Sequence, residues 1–224
     1  MNNCYISNVE YHKHLGVSYD KRMIFNIHCS DIITKSYSKF NLLKHICPKV
    51  NGHVFLKLYK SYILPIIEYS NLCFTPTQTQ LYKIEKIQKK ISKYICFKLN
   101  KTNLNYSDRL KALNLISLKK RREVQILKLI HNTTYKYKAN CANWFENLTL
   151  YKRSRNGNFL KCCKNRIVLT DKCIFNYGTK LFNNLPKIVR NFYYFYMTIS
   201  RGESYNIPNR KSNIFRKMTS KFGL

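Results

Sequence analysis

Two-metal phosphoryl transfer needs carboxylates held side by side. The chain has ten acidic residues, with Asp only at 20, 31, 108 and 171, and no two acids are adjacent or spaced as a convincing pair on one helix. No Gly-x-Ser-x-Gly elbow and no Gly-x-x-x-x-Gly-Lys phosphate loop occurs. His12, His14, His28, His45, His53 and His131 are scattered, so a Ser-His-Asp or Cys-His nucleophile would have to be assembled by folding alone. The nine cysteines stand at 4, 29, 47, 73, 96, 141, 162, 163 and 173, and no pair has the two to four intervening residues of a zinc knuckle. An odd count without a secretory leader reads as reduced thiols acting as small buried hydrophobes. Gly52 and Gly157 read as ordinary turn glycines.

Charge is the stronger signal. Among 224 residues, 41 Lys and Arg stand against 10 Asp and Glu, a formal charge of +31. Such a chain repels itself unless it meets a polyanion, and nucleic acid is the first partner to consider. Codon composition offers a second source for the lysines, since Asn, Ile, Tyr and Phe are also abundant. The apolar fraction of 45% excludes a disordered basic tail. No run of about 18 apolar residues supports a membrane span. Met1 to Cys4 lack the start of a secretory signal, so an intracellular location, nucleus or cytoplasm, is expected.

These residues must be positioned by elements that the pattern predicts. Cys4 to Val9 reads as a strand. His12 to Tyr19 reads as another, interrupted at Gly16 by a bulge or a close backbone approach. Ile32, Ile33, Tyr37, Phe40, Leu43 and Ile46 form a helical stripe ending before Pro48. His53 to Leu64 carries Leu56, Tyr59, Tyr62 and Ile63, and Pro65 kinks or restarts it. Thr77 or Thr79 caps a helix over Gln78 to Phe97, whose stripe is Leu81, Ile84, Ile87, Ile91, Tyr94 and Ile95. Lys83, Lys86, Lys89, Lys90 and Lys93 occupy its remaining surface, interrupted by Glu85. Helices are also predicted at Ser107 to Leu113, Leu118 to His131, Phe175 to Phe182 and Ser212 to Phe222, with residues 135–170 irregular. The basic run Lys119 to Arg122 reads as a solvated helix face or a short nuclear-import signal. Phe192 to Tyr196 reads as core packing, with base stacking as the second reading.

The order of these motifs resembles the C-terminal part of a non-LTR retrotransposon reverse transcriptase of the jockey-like and CR1-like kind. His14-Leu15-Gly16-Val17 is similar to the "Lys-Tyr-Leu-Gly-Val" strand after the catalytic palm. Asp20, Phe25, His28 and Lys35 follow, where the family enters its first thumb helix. Leu58-Tyr59-Lys60-Ser61 with Pro65 and Tyr69 is similar to "Leu-Tyr-Lys-Ser…Pro…Glu-Tyr". Leu81, Ile84, Glu85, Gln88, Lys89 and Lys90 resemble "Leu…Ile-Glu…Gln-Lys-Lys". Arg109-Leu110, Leu113 to Leu115, Ser117-Leu118 and Arg121-Arg122 resemble an "Arg-Leu…Leu-x-Leu-Pro-Ser-Leu…Arg-Arg" stretch, with Ile116 in place of its proline. Asn183, Leu185 and Pro186 resemble "Trp-Asn-x-Leu-Pro", with Phe182 in place of its tryptophan, and Phe215-Arg216-Lys217 a closing helix.

The resemblance covers roughly residues 9 to 220. It implies a mainly α fold: a small N-terminal β-hairpin, a helical thumb-like bundle and a less ordered basic C-terminal region. The implied divisions are residues 1–20 as a palm remnant, 21–134 as the thumb and 135–224 as the tail, with the hairpin frayed for want of partner strands. The family's catalytic aspartates and their Mg lie upstream of the match, so no catalytic residue, metal or cofactor is expected in this chain, which alone should not polymerise. It reads as a truncated polymerase fragment that grips a template–primer duplex of RNA and DNA through the backbone, without a membrane and with the missing palm as a further partner. The implied phosphate contacts are Lys83, Lys86, Lys89, Lys90, Lys93, Arg121 and Arg122. His14, Leu15 and Gly16 are expected near the primer end. The alternative is a domesticated, non-enzymatic basic nucleic-acid-binding protein.

Overall fold

A computed structural model describes residues 9–132, 150–151, 159–160 and 174–185. The fold is mainly helical with a small antiparallel hairpin at its N-terminal end. The expected strand Cys4 to Val9 falls almost wholly outside the described residues. So do the run Phe192 to Tyr196, the helix Ser212 to Phe222, Pro186 and Phe215-Arg216-Lys217.

Strands β1 (Tyr11–His14) and β2 (Val17–Asp20) pair with Tyr11 opposite Asp20 and His14 opposite Val17. Of the two readings of Gly16, the bulge gives way to a hairpin turn, and the close approach holds, since Tyr69 lies against it. Leu15 and Gly16 both have positive φ, 47° and 77°, the two-residue turn whose twist matches a hairpin. The hairpin is not frayed. Val17 enters the core, and the Asp20 carboxylate accepts hydrogen bonds from the backbone N–H groups of Arg22, Ile24 and Phe25 at 3.1, 2.9 and 2.6 Å. That carboxylate orders the entry to α1 (Asn26–Ile46), whose own N-cap residue, Phe25, supplies no side-chain cap.

Helix α1 buries Ile32 and Phe40, but Ile46, counted in the predicted stripe, is 65% exposed at its last turn. Helix α2 (Gly52–Leu58) starts from Asn51, whose side chain accepts from the His53 N–H at 3.0 Å. Gly52 is not an ordinary turn residue. A Cβ there would lie 2.5 Å from Leu99 Cγ and 3.0 Å from the Ile95 carbonyl oxygen, so hydrogen is what allows this close approach. A wide π turn, Tyr59–Ile63, leads directly into α3 (Leu64–Glu68). Pro65 explains it: proline has no N–H to donate and crowds the carbonyl four residues back, and a wider turn accommodates both. Tyr62, predicted in the apolar pattern, is exposed there.

Helix α4 (Gln78–Lys98) begins with a full capping box between Thr77 and Gln80. Gln80 also reaches across to α1's entry, its Nε2 donating to the Ile24 carbonyl and to Asn26 Oδ1, both at 2.9 Å. Helix α5 (Tyr106–Ala112) is capped by Asn105, and α6 spans Leu118–His131.

The chain divides into two units after Arg122. The first unites hairpin and helices around Phe40, Phe55, Tyr59, Ile87, Ile91 and Ile95, so residues 9–20 belong with the helices that follow them. The second has its own core. Ile126 and Ile130 of α6 pack with Leu160 of β4 (Phe159–Leu160) and with Ile174 and Phe182 of α7 (Ile174–Asn183); β4 pairs with β3 (Leu150–Tyr151). Asn183, one of the motif residues, bridges α7 to β4 by accepting from Leu160 N–H at 3.0 Å and donating to its carbonyl at 2.9 Å. Among the described residues, no helix is long and apolar enough to cross a membrane.

Candidate nucleic-acid interface

The inner face of α4 is apolar, with Ile84, Ile87, Ile91 and Ile95 all buried. At 3.6 residues per turn the five lysines fall on the opposite side, within an arc of roughly 120°. Lys83, Lys86, Lys90 and Lys93 are exposed, and Lys89 is half-buried. Three of the ammonium groups lie over aromatic rings: Lys86 and Lys89 at 4.8 and 5.4 Å from Tyr82, Lys89 also at 5.3 Å from Tyr106, and Lys90 at 5.1 Å from Tyr37 of α1. Such contacts hold the stems against the protein and leave the charge accessible.

The acids that could neutralise this face are engaged elsewhere. Glu85 turns away from the lysines and accepts hydrogen bonds from the Tyr106 hydroxyl and from the N–H groups of Leu118 and Lys119, the latter two at 3.3 and 3.4 Å. It therefore caps α6, where a carboxylate meets the positive end of the helix dipole. Glu68 pairs with Arg121, and Asp20 orders the entry to α1. Asp108 pairs with Lys111 of its own helix, at 3.9 Å. Glu85, the acid on the same helix, is thus taken up at the start of α6 and leaves the lysine face positive.

Of the two arginines expected among the phosphate contacts, Arg122 is buried and Arg121, half-buried, is held in an ion pair. Arg121 donates to Glu68, which raises its pKa further, since the paired carboxylate stabilises the cation. Arg122 is only 5% exposed; it donates to Asn71 Oδ1 at 3.2 Å and lies 5.0 Å over the Phe74 ring. The basic run therefore splits into exposed Lys119 and Lys120 and two arginines that join α6 to the segment after α3.

The expected primer-end residues form the hairpin turn, with His14 and Gly16 exposed and Leu15 77% exposed. The Tyr69 hydroxyl donates to the Leu15 carbonyl, and a Cβ on Gly16 would sit 3.3 Å from that ring. The turn is thus held rigidly, although by a partner the sequence did not reveal.

Sequence reasoning also missed a polar network under the lysine face. Buried Tyr59 donates to Gln88 Oε1 at 2.7 Å, and Gln88 Nε2 donates to the Tyr106 hydroxyl at 3.1 Å and the Ile116 carbonyl at 3.0 Å. Burial pushes both tyrosine pKa values well up, so both hydroxyls stay protonated donors. His28, 2% exposed, meets Ser70 Oγ at 2.6 Å and stands edge-on to Phe74; burial holds its pKa below the usual 6.5. Burial pushes the Cys29 thiol up to about 11, in keeping with a packing role. Cys29 and Cys96 are buried, whereas Cys73 is exposed.

A protein of Caenorhabditis elegans named B0403.1, itself uncharacterized, is 27% identical to this chain over 119 residues, 53% of this chain and 60% of that protein. The chain thus matches less than two thirds of that relative's length. No protein-family model matches, and no solved structure matches significantly.

Proposed function

We propose that the chain is the nucleic-acid-binding, thumb-like part of an RNA-directed DNA polymerase of the non-LTR retrotransposon kind, and that it grips template–primer through the phosphate backbone. The observation that carries the reading is the α4 face: five lysines in one arc, with the nearby carboxylates engaged in caps and ion pairs. Backbone contacts of this kind bind without reading sequence. The order of motif residues supports the polymerase link. Gly16 with Tyr69, Tyr59 with Gln88 and Glu85 with the start of α6 are motif residues of the resemblance, and they meet one another within the first unit. The polymerase chemistry, with its metal-binding aspartates, belongs to a palm region outside this match.

Titrating the chain with an RNA–DNA hybrid at several salt concentrations tests the binding. Affinity should fall steeply with salt, and the slope of log K against log salt should lose about 0.9 for each lysine contact removed by Lys→Gln substitution at 83, 86, 89, 90 and 93. An unchanged slope in the five-fold variant would refute the assignment of these lysines. A primer-extension assay tests the polymerase link: extension should need a palm supplied separately, and this chain should increase it. Binding without any effect on a supplied palm would favour a domesticated binding protein. Extension by the chain alone would overturn the view that the reaction centre lies elsewhere.

A further inference from the structure

The outer face of α4 carries more than charge. Tyr82 and Phe97 lie in the lysine arc, one towards each end, and their exposures are 56% and 68%. They stand fifteen helical steps apart, about 22 Å of helix at 1.5 Å per residue. Lys83, Lys86, Lys89, Lys90 and Lys93 fall between them in the sequence. Neither ring belongs to the core, which α4 fills from its isoleucine face. Two ammonium groups are drawn to the Tyr82 ring, at 4.8 and 5.4 Å, and they repel one another. An incoming phosphate relieves that repulsion and frees the ring.

We infer that Tyr82 and Phe97 are base-stacking residues, and that the α4 face takes an unpaired strand long enough to reach both rings. The inference rests on the reading of the lysine face as a nucleic-acid interface, and names the form of nucleic acid it prefers. In a continuous duplex each base face is covered by its neighbours, so exposed rings gain nothing and phosphates alone meet the helix. Unpaired bases offer their faces, and an aromatic ring then adds stacking to the phosphate contacts, whatever the sequence. The separation of the two rings exceeds one base step several-fold, since bases rise about 3.4 Å each along a strand. Tyr82 and Phe97 therefore meet bases at two separate points, with the intervening phosphates on the lysines.

The test uses the full chain and two labelled probes with equal numbers of phosphates, a blunt RNA–DNA hybrid and a hybrid with a single-stranded overhang. The wild type should bind the overhang probe more tightly. Tyr82→Ala with Phe97→Ala should weaken overhang binding by about five- to 100-fold per stacked base, and leave blunt-duplex binding unchanged. Tyr82→Trp with Phe97→Trp should retain the preference, which separates stacking from misfolding. Equal losses on both probes, or no loss on either, would overturn the stacking role while leaving the lysine interface standing. Failure of the wild type to bind either probe in a salt-dependent way would remove the underlying reading instead.

Discussion

The two faces of α4 obey different rules. The inner face is isoleucine at helical spacing, with buried Gln80, Gln88 and Ser92 each hydrogen-bonded. The outer face is lysine and aromatic, with no ion pair to its lysines among the described residues. The inner side chains are explained by burial and hydrogen bonding. Those on the outer face are not, because solvated lysines and an exposed phenyl ring contribute little to holding a fold. The contrast teaches where a requirement beyond folding acts on this helix.

The comparison breaks first at its inner face. Ile91 is 0% exposed, so Ile91→Ala should destabilise the first unit by about 2–5 kcal/mol through lost burial and a residual cavity. Chemical denaturation followed by circular dichroism reads this directly, and a loss below about 1 kcal/mol would contradict the packing described. Next comes the polar network. Gln88→Leu leaves the Tyr59 hydroxyl buried without its acceptor, and should cost about 1–3 kcal/mol despite the more apolar side chain. A stabilised Gln88→Leu would mean that the network is dispensable.

The His28 contribution is smaller and depends on pH. Its folded-state pKa lies below 6.5, because burial disfavours the charged ring and outweighs the nearby Asp31 carboxylate. The unfolded chain therefore binds the proton more readily. Stability from the neutral ring is complete above pH 6.5 and is lost as the pH falls below it. Denaturation midpoints at neutral pH and near pH 5.5 should drop more for the wild type than for His28→Gln. Identical drops would show that His28 does not set the acid sensitivity. Smallest of all, in stability, is the outer face. Lys86→Gln, Lys90→Gln and Lys93→Gln should each change stability by no more than about 0.5 kcal/mol, and under the proposed function should weaken nucleic-acid binding. A large destabilisation would mean that these lysines support the fold, and the contrast between the faces would collapse.

Much of this architecture is legible in the chain. The isoleucine stripe of α4, the Thr77 cap and the extent of α6 follow from spacing and cap chemistry, which are local. The hairpin turn was less legible: Gly16 marks a special backbone position, but a bulge and a turn leave the same trace in one sequence. The lysines of α4 could be assigned to its outer side because a helix of known phase places them there. The arginines could not. Arg121 and Arg122 continue the run begun by Lys119 and Lys120, and nothing local marks them as engaged within the protein; Glu68 and Asn71, their partners, lie about fifty residues away. Gly52 likewise looked like a turn residue because Leu99 and Ile95, which need its missing side chain, are distant in sequence.

The sequence alone determined the charge imbalance, the helical phases and the lysine stripe, since composition and periodicity are properties of the chain itself. Only the tertiary structure decided which charges are available. Glu85 could have neutralised the lysines beside it, yet it caps a helix that begins 33 residues later, and Arg122 could have met solvent, yet it covers Phe74. A charge is assigned by whichever partner the fold brings within reach, and that proximity is not written in any one segment.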